Sequence, residues 1–119
     1  MKILDFIEMN KCVGENGNII NKNMLESVLS SYFYYSDPVE QVASIYRGLV
    51  KNHAFQDGNK RVAALFLLLI LKDYKNIDGY ELEKLILDVI KNKYEIKEIA
   101  KRIKELKNFS GIKTSFSKD

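Results

Sequence analysis

Cysteine, histidine and proline each occur once in this chain of 119 residues. The lone thiol, Cys12, excludes an internal disulfide and any zinc site built from several thiolates. No proline- or glycine-rich linker is long enough to split the chain, and the length is that of one domain. Nor does any apolar run span a bilayer. The longest, Val62–Leu71, holds ten residues, about half of what a crossing helix needs. The N-terminal M-K-I-L-D-F-I-E carries acids within its apolar stretch and offers no small-residue cleavage site, so no signal peptide is read there. These absences point to the cytoplasm and to no membrane partner.

A large charge of one sign is missing too. The formal net charge is +3. It is unevenly placed: from Lys91 onward nine Lys/Arg stand against four Asp/Glu, whereas residues 1–90 hold ten against twelve. A basic C-terminal third can mean nucleic acid. The plainer reading is a solvated helix face followed by a loose tail.

Strand-like alternation is equally scarce, and helical period runs through nearly every segment. A first helix is expected over Ile3–Lys11, with Ile3, Phe6 and Ile7 on one face. Gly14–Asn18 is turn chemistry. It lacks the spaced acids of a calcium loop and a phosphate-loop lysine. Met24, Leu25, Val28 and Leu29 mark a second helix capped by Asn21 or Asn23. Ser31–Ser36 reads as an aromatic loop, with Tyr32, Phe33, Tyr34 and Tyr35 as core anchors or, alternatively, a partner surface. Asp37-Pro38 is a cap followed by proline at the first helical position, opening a helix to about Asn52. The next helix is expected from about Asn59 to Tyr74, apolar all round through Leu71 and therefore surrounded by neighbours. Two amphipathic helices follow, through Leu82–Ile90 and Ile96–Leu106. The fold class is all-α, about six helices around a buried central one. Residues 1–107 form the domain, and 108–119 read as a polar, frayed tail.

What is present, and what core packing does not ask for, is the stretch H-A-F-Q-D-G-N-K-R from His53 to Arg61. It brings the single histidine, a carboxylate, a Gly-Asn pair and two cations to the mouth of the apolar helix. The first N–H groups of a helix lack intrahelical partners, and the macrodipole places about half a positive charge there. Lys60 and Arg61 fall in that turn, where cations are locally unfavourable. A polyanion such as a nucleotide phosphate chain resolves the conflict. Gly58 lets the backbone approach it without a side chain in the way. Asp57 is either an N-cap or the single carboxylate that Mg²⁺ takes when phosphates and water supply the rest. In this company we favour the metal ligand. His53 is either a helix C-terminal residue bonding a carbonyl or a general base that titrates near neutrality. Phe55 packs inward and pins the loop. Cys12 reads as a small, partly buried hydrophobe.

The nine residues resemble the signature of the Fic/Doc superfamily, H-x-F-x-[D/E]-G-N-x-R, with His53, Phe55, Asp57, Gly58, Asn59 and Arg61 at its fixed positions. The segments Leu25–Ser27 and Val39–Val50 are similar to those upstream of the motif in death-on-curing toxins, and the likeness runs from about Ile3 to Ile103. AMP-transferring Fic proteins carry glycine where Lys60 stands, whereas the Doc branch carries lysine, thought to reverse the nucleotide so that its γ-phosphate faces the histidine. The resemblance thus implies a Doc-type toxin of a toxin–antitoxin module. Such an enzyme transfers phosphate from ATP to a hydroxyl of a translation protein, elongation factor Tu being the family target, and arrests growth. It implies that His53 activates the acceptor hydroxyl, Asp57 holds Mg²⁺, Gly58 and Asn59 line the anion hole, and Lys60 with Arg61 neutralises the phosphoryl group. It also implies a cognate antitoxin, through which alone nucleic acid would be met. Ala54 departs from a frequent proline. The nearest stretch to the self-inhibiting [S/T]-x-x-x-E-[G/N], Ser36–Gln41, ends in glutamine and starts a helix, so no inhibition is assigned to it. A target-docking flap would have to come from the short Gly14–Ile20. Two alternatives stand beside this reading: a Fic-type AMP transferase, and a non-catalytic interaction or nucleic-acid-binding module.

Overall fold

In the computed structural model, residues 3–52 and 54–113 are described. They form six α-helices: α1 Ile3–Cys12, α2 Lys22–Ser30, α3 Pro38–Lys51, α4 Asn59–Ile70, α5 Gly79–Lys91 and α6 Ile96–Lys104. Short 3-10 turns lie at Ser31–Tyr34 and Tyr74–Asn76. Among the described residues there is no strand, only two isolated antiparallel bridges, Ile19 with Phe55 and Leu71 with Ile112. The all-α class holds.

The helix starts follow their local chemistry. Asn21, not Asn23, caps α2 by accepting from the Met24 N–H. The Asp37 carboxylate accepts from the Glu40 N–H at 3.0 Å, with Pro38 at the first helical position. Each such cap stabilises its helix by about 1 kcal/mol. Packing does the larger part. α3 lies against α2, α4, α5 and α6, and α4 lies against α1, α3 and α5. Phe6, Leu25, Ile45, Phe66, Leu67, Ile99 and Ile103 are withdrawn from water, each such residue contributing roughly 1.5–3 kcal/mol. The rings of Phe6 and Phe66 meet at 6.0 Å between centroids and tie α1 to α4. Tyr46 is buried among them with no hydrogen-bond partner for its hydroxyl among the described residues, and burial pushes its phenol well above the usual tyrosine range.

Four expectations need correction. The helix expected to reach Tyr74 stops at Ile70, where Leu71 turns extended. The chain end captures it there: Lys72 N–H donates to Gly111, and Lys113 N–H donates to the Ile70 carbonyl at 2.8 Å. For the same reason residues 109–113 are held rather than frayed, with Ile112 buried against the core. The rest of the expected tail, 114–119, lies outside the described residues. Neighbours do not surround α4 on every side. Val62, Ala63, Phe66, Leu67 and Ile70 face inward, but Leu65 and Leu68 are half-buried and Leu69 is exposed. An apolar sequence permits burial without compelling it. Finally, only part of the aromatic cluster anchors the core: half-buried Tyr32 packs against it. Tyr32 stacks on Phe33 at 4.3 Å, while Phe33 and Tyr34 point outward.

Candidate functional site

The loop between α3 and α4 is held open by groups the sequence supplies at short range. Asn59, buried at the start of α4, accepts from the Phe55 N–H and donates to the Phe55 carbonyl, both at 2.9 Å. Phe55 is itself buried, as expected. On the other side, the segment after α1 laces onto the loop. Ile20 and Asn21 N–H groups donate to the Ala54 carbonyl, and the Gln56 N–H donates to Asn18. Buried Asn10 completes the frame: its amide donates to the Asp57 carbonyl and its oxygen accepts from the Gly17 N–H, each at 2.8 Å.

The result is an uncapped helix mouth. Gly58 occupies the N-cap position at φ 80°, and no side chain caps there. That left-handed conformation costs a non-glycine residue about 1–2 kcal/mol. A Cβ at this position would also come within 2.8 Å of Glu15 Cγ and 3.1 Å of Asn10 Nδ2. Glycine therefore meets a backbone requirement and admits the neighbouring loop. The first intrahelical bond runs from the Val62 N–H to the Gly58 carbonyl, so the N–H groups of Asn59, Lys60 and Arg61 precede the hydrogen-bonded ladder. Residues 56–61 line a hollow of about 350 Å³ over this turn, within the roughly 300–1,000 Å³ typical of ligand sites.

Each candidate side chain has a definite place, except His53, which lies outside the described residues. Asp57 is not the cap. It is exposed on the wall of the hollow, and its carboxylate makes no hydrogen bond or ion pair among the described residues. Lys60 is exposed on the same wall, without a carboxylate partner there. Arg61 also lines the hollow but is shared: it donates to the Val13 carbonyl at 2.8 Å and pairs closely with Glu15. The Asn59 carboxamide is committed to Phe55, which leaves its backbone N–H for an anion. Asn10 and Glu15 had escaped notice. Asn10 shares the buried face of α1 with Phe6 and Met9, a polar residue where the period calls for an apolar one, and that signal was readable. Glu15 sits in a turn, where a carboxylate is unremarked.

Among the described residues no three His, Cys, Asp or Glu side chains gather as a metal cluster. The donor set fits a cation that takes one carboxylate and otherwise phosphate and water, the usual manner of Mg²⁺. Cys12 is free and exposed rather than partly buried. No helix among the described residues is long and apolar enough to cross a membrane.

A left-handed glycine, three leading N–H groups and two basic side chains around one hollow are the groups an anion takes at a helix mouth. Residues 19–71 match the family model described as Fic/DOC family, a stretch running from the loop before α2 to the end of α4. The match supports the Fic/Doc superfamily, whose members are typically transferases, and its description spans both branches. No curated protein and no solved structure matches the chain.

Proposed function

We propose that this chain is a Doc-type toxin, transferring the γ-phosphoryl group of ATP to a hydroxyl on a translation protein, elongation factor Tu by the family likeness. The observation that carries the reading is the mouth of α4: Gly58 left-handed and uncapped, with Lys60 on its wall. In this reading the acceptor hydroxyl gives its proton to the His53 imidazole as its oxygen attacks Pγ. The new O–Pγ bond forms as the bond from Pγ to the β,γ-bridging oxygen breaks, and ADP leaves. The N–H groups of Asn59, Lys60 and Arg61 and the Lys60 ammonium stabilise the charge spread over the phosphoryl oxygens. Positioning and electrostatics are what this transfer chiefly needs. Asp57 would hold Mg²⁺, which when bound neutralises phosphate charge. An antitoxin would control the toxin in the cytoplasm, any nucleic-acid contact being the antitoxin's.

A second reading, AMP transfer, draws on the same motif and on the breadth of the family match. ATP labelled at either the α- or the γ-phosphate separates the two in a cell extract. Kinase activity predicts γ-label on protein, lost in His53→Ala, whereas α-label on protein refutes it. Growth arrest that survives His53→Ala would count against both enzymatic readings and leave a non-catalytic interaction module.

A further inference from the structure

The chain has three arginines, and two of them have carboxylate partners: Arg61 with Glu15, and Arg102 with Asp88. The third, Arg47, is half-buried on α3. Its Nε donates to the Tyr94 carbonyl at 3.1 Å, and no acid among the described residues pairs with it. The terminal nitrogens of the guanidinium carry further donors in a planar fork. Withdrawing a cation from water without a counter-charge costs free energy. In Arg61 and Arg102 the chain itself supplies the counter-charge. For Arg47 no described residue does.

Among the described residues, Arg47 is the one charged residue on a hollow of about 240 Å³ between α2, the 31–34 turn, α3 and the start of α6. The floor is apolar where α2 and α3 cross: a Cβ on Gly48 would come to 2.6 Å from Val28 Cγ2. Ser31 and Ser44 line it too, but their protons are used, donated to the Val28 carbonyl at 2.7 Å and the Gln41 carbonyl at 2.8 Å. Tyr34, 86% exposed, stands at the rim.

A single positive charge with neutral walls suits a monoanion. A carboxylate matches the guanidinium edge through paired N–H···O bonds. A phosphate monoester, nearly dianionic at neutral pH, would call for a second cation, which the described lining lacks. The volume falls below the roughly 300–1,000 Å³ of small-molecule sites and suits one side chain. We infer that this hollow receives the carboxylate of an Asp or Glu on a protein segment, gripped by Arg47, with Tyr34 against the flanking residues. Asn52 lines the same hollow and immediately precedes His53. A segment anchored on Arg47 therefore lies beside the end of α3, where the loop to α4 begins, and Arg47 selects the acceptor protein. That role rests on the protein-hydroxyl transfer proposed above; the binding itself does not.

The test is an NMR titration of the ¹⁵N-labelled full chain with N-acetylglutamate N-methylamide, the glutamine analogue serving as neutral control. The glutamate probe alone should shift Arg47 Nε and the Gly48 amide. Arg47→Gln should weaken binding about tenfold or more, the loss of a charge-assisted bond. Ser27→Asp keeps Arg47 and alters only an exposed rim residue. Its carboxylate should compete, weakening the probe about fivefold. Equal shifts from both probes, unweakened binding in Ser27→Asp, or tighter binding of N-acetylphosphoserine would overturn the assignment. With the acceptor identified by label transfer, Arg47→Gln should raise its KM and leave that for ATP unchanged. A loss confined to kcat would overturn the anchoring role. Failure of the wild type to transfer label would tell against the proposed function, and the titration would still decide this one.

Discussion

Replacing Glu15 by glutamine should tighten nucleotide binding. The Glu15 carboxylate pairs with Arg61 at the wall of the hollow, with side-chain exposures of 24% and 56% respectively. An ion pair this open contributes no more than about 1 kcal/mol to the fold, so the variant should remain folded. The effect on a polyanion is larger, because an arriving phosphate meets a fixed negative charge and must share Arg61 with it. At about 4 Å, a unit charge acts with about 1 kcal/mol in water and about 4 kcal/mol at the screening typical of a protein surface. The half-open mouth lies toward the watery end, so about 1–2 kcal/mol is released, or roughly 5- to 30-fold in affinity. Glutamine keeps the Cγ that packs near Gly58 and removes only the charge. Calorimetric titration of wild type and Glu15→Gln with ATP at low and high salt measures this. The gain should shrink as salt rises. An unchanged or weakened affinity in the variant would refute the competition between Glu15 and phosphate.

Three further outcomes follow from the packing. Asn59→Ala should destabilise the protein by about 2–4 kcal/mol, since the Phe55 N–H and carbonyl both lose their buried partner; a urea midpoint like that of wild type would contradict it. Tyr46→Phe should raise the melting temperature, with a gain of about 1 kcal/mol, because it removes a buried hydroxyl that has no partner; destabilisation would indicate a hidden partner. The Asp88 carboxyl is held below the usual carboxylate range by its hydrogen bond from the Arg102 guanidinium. A depressed folded-state value means stability that is present above the unfolded value and lost as pH falls through the folded one. Asp88→Asn should therefore destabilise at neutral pH and cease to matter in acid, as thermal melts across pH would record; an equal effect in acid would contradict the pairing.

Much of this architecture could be read from residue order because it is written locally. Asp37-Pro38 and Asn21 are caps whose side chains reach their own helix, and the apolar period of α3, α5 and α6 needs no distant partner to be recognised. The end of α4 could not be read that way. Leu71 continues an apolar run, and only the return of Gly111–Lys113 turns it extended. The motif placed a glycine and two cations at the mouth of α4, and Gly58 takes the left-handed N-cap position there. Arg61 could not be placed in advance because its partner, Glu15, comes from a turn 46 residues earlier. The family resemblance implied that Asn59 lines an anion hole, yet the fold commits its carboxamide to Phe55.

The most direct test of the nucleotide-gripping helix mouth is a backbone amide titration of the full chain with ATP. The account predicts the largest shifts at Gly58, Asn59, Lys60 and Arg61, much reduced in Lys60→Ala. Binding of ATP that leaves those four amides unmoved, or no binding at all, would contradict it.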